Sequence, residues 1–243
     1  MSRAVSHARR LYFTCVVLLL SLFAGGAQAL EPFVAQYAVY RGGDALGEAT
    51  MRLTPGERGR WRVDLVMRGT GLLRIAGLNA EQSTVFDTEG GVYRPLSQAT
   101  VRRTVFTRRQ TTGVYDWATR QARWQGDVKK TRRAPVPLQP GDMSGLLINL
   151  AAVRDARPGA TLEYRFVDDG RTRLHRYAVA DALEPVSVGD LRYDAMRVAR
   201  VQHGGDETVL WIVDGVPTPV RLLQREDGRD TFDLRLIEYT GTQ

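Results

Sequence analysis

Hydrophobic and polar positions alternate with a period of two over most of the chain. Trp61, Val63, Leu65 and Met67 are interleaved with Arg62, Asp64, Val66 and Arg68, the pattern of a strand with one buried face. Phe33–Arg41 and Leu46–Leu53 read the same way on either side of Gly42-Gly43-Asp44, a hairpin signal. Thr54-Pro55-Gly56 makes the next turn. Strand signals continue over Ser83–Asp87, Tyr93–Arg103, Thr104–Arg109, Gly113–Trp117 and Ala122–Gln125. They resume over Thr161–Val167, Thr172–Ala180, Tyr193–Gln202, Glu207–Val213, Val220–Gln224 and Thr231–Tyr239. Asp168-Asp169-Gly170 and Glu226-Asp227-Gly228 are tight-turn sequences between them.

Two segments depart from this period. Gly71–Gly77 is apolar without alternation and reads as one or two helical turns. Met143, Leu146, Leu147 and Leu150 fall at i, i+3, i+4, i+7, which predicts a helix over Met143–Asp155 with Asp142 as its N-cap and Pro158-Gly159 as its stop. Leu210-Trp211-Ile212-Val213 is apolar at both parities, as in a central strand covered on both faces. Roughly a dozen strands and one helix predict a mainly-β fold, a curved antiparallel sheet forming a half-barrel or open barrel.

The first 29 residues belong to a different pattern. Arg3, Arg9 and Arg10 precede an apolar run from Leu11 to Phe23, and Ala27-Gln28-Ala29 follows it. This is the layout of a signal peptide cleaved after Ala29, the run being short of the ~20 residues that span a bilayer. An exported, periplasmic protein is expected, with residues 30–243 as one domain. Ala134–Asp142, with Pro135, Pro137 and Pro140, is the candidate divide between two halves of the sheet. The single cysteine, Cys15, lies in the leader and lacks a lipobox around it. The mature chain therefore has no disulfide, thiol nucleophile or zinc–cysteine site, and its core alone must hold it.

Charge adds one feature. The formal charge of +7 falls to +4 without the three leader arginines, yet Thr100–Pro135 carries ten basic residues against Asp116 and Asp127. Arg102, Arg103, Arg108, Arg109, Lys129, Lys130, Arg132 and Arg133 are the candidate anion-facing group, interleaved with Phe106, Tyr115, Trp117 and Trp124. Basic strands with aromatics can bind single-stranded nucleic acid, but export removes that partner and leaves lipid headgroups and lipopolysaccharide. The plain alternative is a solvated face whose cations guard sheet edges.

Catalytic and metal chemistry find little support. His175 and His203 have no metal-ligand spacing, and His175 shares the parity of Tyr177 and Val179 on an inward face. Ser144 in Gly141-Asp142-Met143-Ser144-Gly145 sits at a helix start, not on a nucleophile elbow. Gly69-Thr70-Gly71 lacks the third glycine of a dinucleotide loop. No cofactor or metal is expected.

The order Asp142-Met143-Ser144-Gly145-Leu146, Glu184, Val188-Gly189, Trp211-Ile212-Val213-Asp214 and Thr218-Pro219-Val220-Arg221 resembles that of the domain of unknown function 3108 family of exported Gram-negative proteins. Leu210–Gly228 is also similar to a strand pair of periplasmic lipoprotein carriers, which would imply an apolar cavity partly plugged by a helix. Fold-level likeness does not fix function.

Three readings follow. The first is a non-enzymatic carrier for a hydrophobic ligand, lipid or lipoprotein, its cavity lined by Trp61, Val63, Leu65 and Met67 and closed by Leu146, Leu147 and Leu150. The second is an envelope adaptor docking its basic strand face on an anionic membrane surface or an envelope protein. The third, an envelope hydrolase, would use His175 or Ser144.

Overall fold

The computed structural model describes residues 30–71, 79–202 and 205–241. The expected leader, most of the apolar Gly71–Gly77 stretch and the His203-Gly204 turn lie outside the described residues. Glu31–Gln243 forms one compact unit. Its strands are β1 (Phe33–Arg41), β2 (Asp44–Pro55), β3 (Trp61–Gly69), β4 (Asn79–Glu89), β5 (Val92–Arg103), β6 (Arg108–Asp116), β7 (Gln121–Gly126), β8 (Val136–Pro137) and β9 (Asp142–Met143). After the helix α1 (Gly145–Asp155) come β10 (Thr161–Asp168), β11 (Arg171–Val188), β12 (Leu191–Val201), β13 (Glu207–Ile212), β14 (Arg221–Glu226) and β15 (Arg229–Gly241).

All fifteen strands belong to one open sheet ordered β8-β7-β6-β5-β4-β3-β2-β1-β15-β14-β13-β12-β11-β10-β9. Every neighbour is antiparallel except β9 against β10. The sheet is thus two meanders joined at the middle, where the first strand pairs with the last, Phe33 opposite Gly241 and Val39 opposite Leu234. Its two outer edges, β8 and β9, follow each other in sequence. The proline-bearing Ala134–Asp142 stretch is the bridge between them.

Alternation produces this architecture directly. In β1, Phe33, Ala35, Tyr37 and Val39 are buried while the residues between them are half-buried, and Met51, Leu53, Val63, Leu65 and Phe86 continue the same inner face. Tight turns return each strand. At Asp169-Gly170 both residues take left-handed angles, φ 49 and 68, as a two-residue hairpin demands. A Cβ at Gly170 would also run into the carbonyl oxygen of Arg132.

Two sequence expectations are corrected. The helix begins at Gly145, two residues later than its apolar period suggests, because Ser144 is the cap: its Oγ accepts from Leu147 N at 3.4 Å. Asp142, the expected cap, sits in β9, where its carboxylate accepts from Gln139 N and Arg165. Thr104–Arg109, expected as a strand, is instead a hairpin tip followed by the start of β6. Thr107 O accepts from Thr104 N at 2.8 Å and the two hydroxyls lie 2.9 Å apart, so four polar groups close the turn locally.

The helix lies on the inner face against β3, β4, β5 and β10. Leu146, Leu147, Ile148, Leu150, Ala151 and Ala152 are all buried, so it is enclosed on more than one side, as a helix inside a core is. It occupies the half of the sheet nearer the β4–β5 turn, since Arg154 donates to Gly91 O and stacks on Tyr93, while Ser144 bonds Thr84 of β4. The Val213–Val220 loop fills the same half: Tyr37 OH bonds Thr218 Oγ1 and Pro219 O. A second cluster of Tyr115, Ala122, Trp124, Val128, Leu138 and Val167 fastens β6 and β7 to β10, with Tyr115 OH donating to Val167 O.

Candidate functional site

Strand alternation divides the turns between two ends. The helix C-terminus and the 213–220 loop crowd one end. At the other lie the β1–β2, β5–β6, β10–β11 and β14–β15 turns, and there the inner face becomes polar and half-buried, with Gln82, Gln98, Thr100, Thr111 and Arg200. The candidate site is this second end.

Its most prominent part is the β5–β6 hairpin. Arg102 pairs across the strands with Arg109 and Arg103 with Arg108. Like charges directly opposite destabilise a hairpin, and here two successive rungs carry them. All four are exposed, and none forms an ion pair among the described residues. Beyond these rungs the tip projects Val105 at 58% and Phe106 at 94% exposure. An apolar pair held outward beyond two Arg–Arg rungs, one on each face of the hairpin, is therefore the geometry of the tip.

The second basic run lies beside the base of this hairpin. Asp127 holds it there, its N–H donating to Gln110 O and its carboxylate accepting from Gln110 N at 2.7 Å. Lys130–Arg132 is a short 3-10 turn. Arg132 is neutralised by Asp169, whereas Lys129, Lys130 and Arg133 are exposed. Seven of the eight basic candidates thus remain without an ion pair among the described residues.

Two regions of the outer face mix charges of both signs. A cleft of about 550 Å³ on the outer face of β2–β5 is lined by Glu48, Asp64 and Glu81 with Arg52, Arg62 and Arg68. On the outer face of β12–β15, Glu207 accepts from Arg197 and Arg225, and Asp233 from Arg221 and Arg235. Burial raises the Asp233 carboxyl, but those two arginines hold it below the usual carboxylate range. Trp211 joins this lattice, donating to Glu184 and carrying the Arg221 guanidinium over its ring.

The residues expected to line a cavity stand along the packed inner face. Val63 and Leu147 are fully enclosed, Leu65, Leu146 and Leu150 nearly so, and Trp61 and Met67 are half-buried. Ser144 is occupied in capping and in its bond to Thr84. Among the described residues no three His, Cys, Asp or Glu side chains could hold a metal ion, and no helix is long and apolar enough to cross a membrane.

His175 is buried on the inner face, as its parity predicts, at 7% exposure, and its ring lies 4.7 Å from that of Phe166. Burial first, then the charges of Arg200 and Arg173, push its pKa down to about 4. The charge pattern marked the arginines of the hairpin but not Phe106 as its tip, because Thr104–Arg109 scans as a strand. Arg200 escaped notice, although its even parity with Val198 on an inward face was a visible signal.

The molecule is therefore a β-barrel-like protein: one open, coiled sheet around a helix, with a basic hairpin at its uncrowded end. The chain belongs to the family described as "Protein of unknown function (DUF3108)", which matches residues 36–235. No curated protein matches it. Among solved structures, a beta-barrel-like protein of domain of unknown function DUF1849 from Brucella abortus is similar with 9% identity and a TM-score of 0.47, over 88% of this chain and 99% of that one. A DUF1089 family protein from Pseudomonas aeruginosa is similar with 12% identity and a TM-score of 0.38, over 71% of this chain and 87% of that one.

Proposed function

We propose that this is an exported envelope protein that docks on an anionic lipid surface through the β5–β6 hairpin. The observation that carries this reading is Phe106, 94% exposed at a tip whose two nearest rungs are both Arg–Arg pairs. A fold gains nothing from that arrangement, which costs cross-strand repulsion and exposes an apolar ring. An anionic bilayer interface rewards both parts, the arginines at the phosphates and the ring among the glycerol and upper acyl groups.

Magnitudes fit reversible docking. About 1 kcal/mol for each of four arginines near an anionic surface, plus about 2 kcal/mol for burying one phenylalanine, gives roughly 6 kcal/mol. That corresponds to association in the range of tens of micromolar or weaker. An acidic protein would satisfy the arginines but has no stated use for Phe106, which is why lipid is preferred. The burial of Val63, Leu65 and Leu147 supports a packed core over a carrier cavity for the inner face near the helix.

Co-sedimentation of residues 30–243 with vesicles tests the proposal. Binding is expected to vesicles rich in phosphatidylglycerol and not to pure phosphatidylcholine, and to weaken steeply with salt. Phe106→Ser should weaken it about tenfold or more, and Arg102→Gln with Arg109→Gln should reduce it similarly. Binding that survives both changes, or no binding at low salt, overturns the reading.

A further inference from the structure

Among the described residues three buried side-chain nitrogens have no hydrogen-bond partner: Nε1 of Trp124, packed in the β6–β7 cluster, and two on neighbouring strands, Nε2 of His175 on β11 and Nε of Arg200 on β12. The register sets Arg200 opposite Tyr177, which makes His175, two residues along β11, its diagonal neighbour on the same face. Phe166 and Tyr177 flank the imidazole. Arg173 lies two residues further towards the hairpin end on the same parity, and is exposed. Cationic groups therefore line one inner column from the mouth of the sheet to its interior.

Among the described residues this column holds no carboxylate of its own, and that of Asp168 on neighbouring β10 is taken up by Gln98. Arg200 and Arg173 form no ion pair among the described residues, although Arg197, three residues before Arg200 on the outer face, is bound by Glu207 and approached by Glu184. The same strand thus neutralises its outward arginine and leaves its inward one bare. A buried donor without an acceptor is expensive to any fold, and two such groups at diagonal positions on one sheet face can share a single anionic acceptor. In the tautomer that carries its proton on Nε2 the neutral imidazole donates, as the guanidinium Nε–H does.

We infer that the inner face holds an oxoanion, the carboxylate or phosphate of an acidic ligand, whose oxygens accept from Arg200 Nε and His175 Nε2, with Arg173 at the entrance. The aromatic flanks suit the first carbons of an amphiphile, and a small inorganic oxoanion offers the same acceptor oxygens. The site does not rest on hairpin docking, since none of its groups belongs to β5 or β6.

The test is nuclear magnetic resonance of residues 30–243 with isotope-labelled histidine, the His175 signals being identified by their absence in His175→Gln. Four probes are added separately to about 10 mM: inorganic phosphate, acetate, decanoate and a short-chain phosphatidic acid. The expected result is a saturable shift of the His175 imidazole with at least one probe, and a rise of its pKa from about 4 as the bound anion offsets Arg200 and Arg173. Saturation by phosphate or acetate assigns the site to a small oxoanion, and saturation by the two amphiphiles alone assigns it to a lipid headgroup. Arg200→Leu should weaken the effect at least tenfold, while Arg197→Gln leaves it unchanged. No shift with any probe in the folded wild-type protein overturns the inference, as does a shift unaltered by Arg200→Leu in a variant whose circular dichroism is native. Phe106→Ser leaves this shift intact even where it abolishes vesicle binding, so the two proposals fail separately.

Discussion

His175 illustrates how one buried side chain ties stability to acidity. Its folded pKa is near 4, against about 6.5 for an ordinary histidine. Between those values the unfolded chain takes up a proton that the folded chain refuses, so the unfolded state binds more protons and stability rises with pH across that window. The contribution is whole above about pH 6.5 and declines as pH falls towards 4. Urea unfolding should show the wild-type protein losing about 2 kcal/mol between pH 7 and pH 5 through this group. His175→Leu should flatten that part of the profile; an unchanged slope would place the proton uptake elsewhere.

At the scale of elements, the β5–β6 hairpin sets stability against docking. Replacing Arg103 by Glu turns one Arg–Arg rung into an opposite-charge pair with Arg108, which should stabilise the fold by about 0.2–1 kcal/mol. The same change should weaken phosphatidylglycerol-vesicle binding, because it removes two units of favourable charge from the tip. A variant that melts higher and binds less would show that the rungs are kept for the surface they meet. Parallel losses in both would instead make Arg103 a structural residue. Helix α1 shows a different balance, and also how far its sequence could be read. The apolar period at Leu146, Leu147 and Leu150 located it, because burial repeats every turn. Its start was misplaced because Asp142 and Ser144 are both good caps, and only the parallel pairing of β9 with β10 withdraws Asp142. The hairpin tip was hidden for a related reason: Thr104 and Thr107 are strand formers, and the bonds that make them a turn run between their own side chains and backbone.

For the whole molecule, alternation and turn residues made the strands and the open, coiled sheet legible, since both are local. The order of the strands was not, because nothing local says that β1 pairs with β15 or that β8 and β9 become opposite edges. The site is divided in the same way. The charged hairpin lies within eight consecutive residues and is visible as a run. The His175–Arg200 column is assembled from two strands whose pairing is known only in the fold.

The pairing of β1 with β15 also sets a timetable. A meander completed from its middle cannot be finished until the thirteen residues of β15 are available, whatever has formed before. Until then each half has an unpaired central strand, and under the proposed export from the N-terminus a chain in that condition would remain open to threading. Loss of Arg229–Gly241 would therefore not shorten an edge but part the sheet at its centre, leaving β1 and β14 as raw borders. Expressed without those residues, the protein should be recovered as aggregates or protease-sensitive fragments, and a co-expressed peptide of β15 should restore protease resistance. A soluble, cooperatively unfolding truncation would mean that the two meanders are independent after all.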